Sequence, residues 1–64
     1  MTLSDIEALP HEFLSISTVA EYLGSKEQPV REAIRRGVPW GYVVGKARFV
    51  IPRLRFVAYH KGLN

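Results

Sequence analysis

The sequence predicts a small α+β fold: two short helices joined by a tight turn, a two-stranded β-hairpin, and a closing helix. Three observations predict it. One apolar-periodic stretch ends at Gly24 and another begins at once, with Val30, Ala33 and Ile34 on one face and Gly37 at its end. Two β-forming runs then flank Gly45-Lys46. Finally, Pro52 stands where a last helix would open. This order is the wiring of a winged helix-turn-helix, with the hairpin as the wing.

Each element has a local physical reason. Ser4-Asp5-Ile6-Glu7 has the pattern of a capping box, with Ser4 as cap and Glu7 reaching back, so a short helical turn through Leu9 is expected before Pro10. Residues 1–12 thus read as an N-terminal arm, and 13–64 as the domain proper. Phe13-Leu14 is expected to be extended. Ser15 caps a helix over 16–23, in which Ile16, Val19, Ala20 and Leu23 recur at i, i+3, i+4 and i+7, and Gly24 supplies the turn.

The next helix starts between Ser25 and Gln28, with either Ser25 or Lys26 at the cap. Pro29 falls in its first turn under both choices, where a missing N–H costs little. Gln28, Arg31, Glu32 and Arg35 face away from the apolar stripe. A two-residue Gly45-Lys46 turn would pair Val44 with Ala47, Val43 with Arg48 and Tyr42 with Phe49. That register turns Tyr42, Val44, Ala47, Phe49 and Ile51 inward and Val43, Arg48 and Val50 outward. Pro52 then takes the first position of a helix running from Arg53 to about His60.

Size and charge bound the function. A chain of 64 residues buries only about 60% of the surface its unfolded form exposes. It has no cysteine, so disulfides and thiolate zinc sites are excluded as staples. No apolar run approaches the ~20 residues of a membrane helix, and Met1–Asp5 lacks the basic and apolar regions of a secretory signal. A soluble, cytoplasmic domain without membrane contact is expected. Residues 1–27 carry five carboxylates against Lys26 alone, a net of −4; residues 28–64 carry eight cations against Glu32 alone, a net of +7. That asymmetry is an argument for a polyanionic partner, although a solvated basic face would look the same by charge alone.

The chemistry of groove recognition selects the site residues. A helix fits the major groove of B-DNA, and its N-terminal side chains reach base edges. On the helix after Gly24 these are Lys26, Glu27, Gln28 and Arg31. Arg31 is suited to bidentate contact with guanine and Gln28 to adenine. Arg35 and Arg36, later in the helix, are placed for phosphates. Lys46 at the hairpin tip and Arg48 beside it would reach an adjacent minor groove or its backbone. Arg53 and Arg55 either add backbone contacts or offset the acidic arm. Trp40, Tyr42, Phe49, Phe56, Tyr59 and Tyr22 are read as core residues rather than a platform for stacking bases.

From Phe13 onward, over roughly four-fifths of the chain, the sequence resembles the excisionase family, the recombination directionality factors of the MerR-like winged-helix group. The matching residues are Phe13-Leu14-Ser15, Val19-Ala20-Glu21-Tyr22-Leu23-Gly24, Val30-Arg31-Glu32-Ala33-Ile34-Arg35-Arg36-Gly37, Arg48-Phe49 and Ile51-Pro52-Arg53. The resemblance implies a small, non-catalytic DNA binder of a phage, transposon or integrative element. Such proteins bend or coat recombination-site DNA so that a tyrosine integrase excises the element. Relatives with the same domain are transcriptional regulators, which is the alternative reading. A neighbouring integrase gene would favour the first, a divergent promoter the second. Double-stranded DNA, tyrosine integrase and further copies on repeated sites are the implied partners, with avidity compensating for one short recognition helix.

Two departures stand out. Val43 and Val50 occupy wing positions that the family often makes basic. Leu54 and Val57 occupy a helix face that the family keeps acidic: either they form a protein-interaction patch, or Leu3, Ile6 and Leu9 fold over them. A protein-interaction module that keeps this fold without DNA binding is a third reading, and it predicts association insensitive to salt. No metal or cofactor is expected, because His11 and His60 have no neighbouring ligand at metal spacing. Gly41 and Gly45 do not form a G-x-G-x-x-G phosphate cradle, and no catalytic triad is recognisable.

Overall fold

The computed structural model describes residues 1–62. In chain order the elements are α1 (Leu3–Glu7), α2 (Ile16–Leu23), α3 (Glu27–Arg36), β1 (Tyr42–Val44), β2 (Arg48–Val50) and α4 (Arg53–Gly62). The result is a small α+β domain of four helices and one antiparallel hairpin.

The first helix starts two residues earlier than the sequence suggests. Thr2, not Ser4, is the cap: its hydroxyl accepts from the Asp5 N–H at 3.2 Å, and the Asp5 carboxylate accepts from the Thr2 N–H at 2.8 Å. Both Thr2-x-x-Asp5 and Ser4-x-x-Glu7 fit the capping pattern. The earlier start brings Leu3 and Ile6 together onto the core, with Ile6 fully buried and Leu3 packed beside it. The Thr2 backbone N–H, and after it the Thr2 side chain, hold the Asp5 carboxyl below its ordinary pKa. The cap therefore weakens only as pH falls through that lowered value and Asp5 gains a proton.

Helix α2 matches its expected limits. Ser15 Oγ accepts from the Thr18 N–H at 3.1 Å. At the other end Gly24 adopts φ +67°, its N–H bonds Glu21 C=O at 3.3 Å, and the Ser25 N–H bonds Ala20 C=O at 2.9 Å. This double closure needs a left-handed residue, which glycine supplies without strain. Val19 and Ala20 are buried and Ile16 packs on the core, but Leu23, at the last position, is exposed. Lys26 is the cap of α3 and makes no side-chain capping bond, which decides between the two candidates. Val30 and Ile34 are buried and Ala33 is half-buried, as the spacing requires.

The hairpin departs from expectation by one residue. Tyr42 pairs with Val50, Val43 with Phe49 and Val44 with Arg48, so Gly45-Lys46-Ala47 form a three-residue turn that opens with Gly45 at φ +67°. Because side chains alternate, the slip turns β1 over. Val43 faces the core beside Phe49, while Tyr42 and Val44 are exposed. After the turn the assignment of Phe49 and Ile51 to the inner face holds and Arg48 stays outside, but Ala47, expected inward, is exposed in the turn. Gly41 sits where the hairpin leaves Trp40; a Cβ there would lie 3.2 Å from the Val50 carbonyl oxygen and 3.4 Å from Ile51 Cγ1, so the strand ends approach closely because this residue has no side chain.

Helix α4 starts at Arg53, as expected; Pro52 stands just before it, and its carbonyl accepts from the Phe56 N–H at 3.0 Å. Helix α4 extends two residues beyond His60, to Gly62. Phe13 and Leu14 are extended, as expected: Phe13 bridges to Pro52, and the Leu14 N–H bonds Ile51 C=O at 2.8 Å. The core gathers at Phe56, whose ring meets Trp40 edge-on at 5.1 Å, Tyr22 at 5.6 Å, and His60 in a tilted stack at 4.1 Å. The aromatic residues divide accordingly: Trp40 and Phe56 are buried, Tyr22 and Phe49 are half-buried, and Tyr42 and Tyr59 are exposed, against the core reading of all six. Among the described residues, no helix is long and apolar enough to cross a membrane.

Candidate nucleic-acid interface

The turn Gly24-Ser25-Lys26 sets α2 and α3 against each other, and the buried Val30 and Ile34 fix which side of α3 faces outward. Gln28, Glu32, Arg35 and Arg36 lie on that outer side and are exposed. Arg31 is on its flank, with its side chain 35% exposed. Arg31 Nη2 pairs with Glu27 Oε1 at 3.0 Å, and Nη1 approaches Gln28 Oε1 at 3.5 Å. The first turn of α3 therefore carries a connected set of donors and acceptors. An exposed pair of this kind is worth about 0.3–0.5 kcal/mol, small enough to exchange for a base edge.

The hairpin lies beside α3. The Arg35 guanidinium sits over the Phe49 ring, 5.1 Å from its centroid, so one side chain spans from the helix to β2. Lys46 is exposed at the turn, and Arg48 is exposed on the outer face opposite Val44. Among the described residues Lys26, Arg36, Lys46, Arg48 and Arg55 make no ion pair, which leaves their charge available to an outside partner. An open groove of about 140 Å³ is lined by Phe13, Arg48, Phe49 and Val50.

Other residues prove to have internal duties. Arg53 donates from Nε to the His11 carbonyl at 2.8 Å and from Nη1 to the Glu7 carbonyl at 2.6 Å. Lys61 Nζ pairs with Glu7 Oε2 at 2.9 Å. Arg53 therefore ties down the arm and does not extend outward as a backbone contact. The pair Leu54 and Val57 is divided: Val57 is 3% exposed and belongs to the core against which α1 docks, whereas Leu54 is 66% exposed. The proposed interaction patch keeps only Leu54, because a five-residue helix covers one of the two positions and not the other.

Sequence reasoning missed three features: the Arg35–Phe49 contact, the groove beside Phe13, and the latching role of Arg53. The only signals for them were an exposed-face arginine, an aromatic in the hairpin, and a basic residue following Pro52. Among the described residues, no group of three His, Cys, Asp or Glu side chains is placed to hold a metal ion. Comparison with protein-family models, curated proteins and solved structures finds no match to this chain, so the excisionase resemblance rests on the residues quoted for it.

Proposed function

We propose that this domain is a winged helix-turn-helix that binds double-stranded DNA with sequence preference, and that it acts as an excisionase on the recombination sites of a mobile element. The observation that carries the reading is the exposed first turn of α3, with Glu27, Gln28 and Arg31 linked to one another next to a hairpin of unpaired cations. In this reading α3 enters the major groove. Arg31 and Gln28 address base edges, and Lys26, Arg36, Lys46 and Arg48 address phosphates. Glu27 both orients Arg31 and repels phosphate, which penalises non-specific binding. The excision role and its integrase partner come from the resemblance; the groove chemistry comes from the residues.

A gel-shift titration on the element's end DNA and on random duplex, at two salt concentrations, tests this. Discrete complexes on end DNA alone, weakened by salt, are expected. Equal binding to both duplexes removes the sequence preference, and salt-insensitive or absent binding removes the DNA reading altogether. Arg31→Ala is expected to lose about 1–3 kcal/mol of discrimination between the two duplexes while leaving random-duplex binding little changed. Lys46→Ala is expected to weaken binding to both duplexes alike, and to reduce the slope of log K against log salt by about one. Quantitative titration of each variant over a salt series reads both effects.

A further inference from the structure

We infer that Arg35 is a positioning residue that braces the hairpin against α3 through the face of Phe49, and thereby fixes the spacing between the two DNA-contacting elements. This rests on the DNA-binding reading above and adds a residue role to it. The direct evidence is geometric. The Arg35 guanidinium lies 5.1 Å from the centre of the Phe49 ring, within the range of a cation–π contact. Arg35 is on the outer side of α3, and Phe49 is the central residue of the three-residue strand β2.

The hairpin is anchored at its base, where Trp40, Gly41 and Ile51 are buried and the Leu14 N–H bonds Ile51 C=O, while its strand residues are less covered. Its two strands are three residues each and form the whole sheet. A hairpin of this size is marginal by itself, so its orientation depends on what packs against it. Phe49 and Val43 supply the apolar contact with the core. That contact is non-directional, so by itself it sets no angle between the hairpin and α3. A planar guanidinium over a ring face adds a directional restraint, and it joins α3 to the strand that carries Arg48.

The restraint has a consequence for recognition. If α3 and the hairpin occupy neighbouring grooves, their separation must match that of the grooves. A pre-set separation lowers the ordering cost of binding. Arg35 then contributes through Phe49 even where its charge is not spent on a phosphate. The two roles separate in the salt dependence: a lost phosphate contact changes the slope, whereas a lost brace lowers affinity at constant slope.

The test uses Phe49→Leu, which keeps the apolar contact and the protein's net charge but removes the ring face. Arg35→Lys keeps the charge and removes the planar group. Each variant is titrated on end DNA over a salt series, alone and combined, and hydrogen exchange of the hairpin amides is measured without DNA. The expected result is a loss of about two- to five-fold in end-DNA affinity for either variant at an unchanged salt slope. The double variant is expected to lose no more than either single one, and hairpin exchange to be faster in all three. Unchanged hairpin exchange in Phe49→Leu overturns the brace. Additive losses in the double variant overturn it in favour of separate contacts. A wild-type chain that binds no DNA overturns the underlying reading, and that result is seen before any variant is compared.

Discussion

Phe56→Ala is expected to cost about 3–5 kcal/mol of stability, the largest loss expected of any single truncation in this chain. Phe56 is fully buried, and three other rings pack on it from α2, from the segment before β1 and from its own helix. Truncating a buried phenylalanine costs about 3–5 kcal/mol in lost burial and residual cavity. A domain of 64 residues has a total stability of about 3–10 kcal/mol. The loss is thus a large fraction of the whole. Urea denaturation followed by circular dichroism measures it directly, and a shift below about 1 kcal/mol would show that the rings can close over the gap.

Ile6→Ala is expected to cost about 2–5 kcal/mol, and it decides whether the arm belongs to the domain. The sequence separates residues 1–12 from the rest. In the structure Ile6 is fully buried, α1 packs on α4, and Arg53 and Lys61 hold Glu7 and His11. The expected result is a single unfolding transition at lower denaturant, coincident in helix signal and in the fluorescence of the buried Trp40. An unchanged Trp40 transition accompanied by early loss of helix would make the arm an appendage with its own stability.

The two central helices were legible because their ends are written in short-range chemistry. Ser15 and Gly24 satisfy specific backbone groups of α2, and each does so within a few residues of its own position. The face of α3 was legible for a similar reason: Val30 and Ile34 are the branched aliphatics on a helix otherwise dominated by charge. The hairpin was not. Tyr42-Val43-Val44 offers a β-former at every position, so either alternation buries apolar surface and nothing in β1 opposes a one-residue slip. In β2 Arg48 disfavours the inward face, and there the faces were assigned correctly. The role of Arg53 was hidden because its acceptors are backbone carbonyls more than forty residues away, and every residue has a carbonyl. The division of Leu54 from Val57 depended on the length of α1, which the misplaced cap obscured.

The site was read in outline for the same reasons. Exposure of Lys26, Glu27, Gln28, Arg35, Arg36, Lys46 and Arg48 follows from helix phase and from the hairpin tip, both local properties. What the sequence did not reveal was that these groups interact with one another. Arg31 is engaged by Glu27 one turn away, and Arg35 by a ring on a different element. The first of these is an i,i+4 pair that spacing alone permits, while the second requires knowing where the hairpin lies.

The latch between α1 and α4 also bears on how the chain is made. Glu7 is anchored by Arg53 and by Lys61, groups that follow it by 46 and 54 positions. Protein synthesis delivers Glu7 well before either of those anchors. Until α4 has emerged from the ribosome, Ile6 has no cover, and a helix of five residues cannot persist unaided. The segment around Glu7 therefore lacks its packing partner until α4 has been made. Docking of α1 is thus a late event that has to follow the synthesis of the helix it packs on.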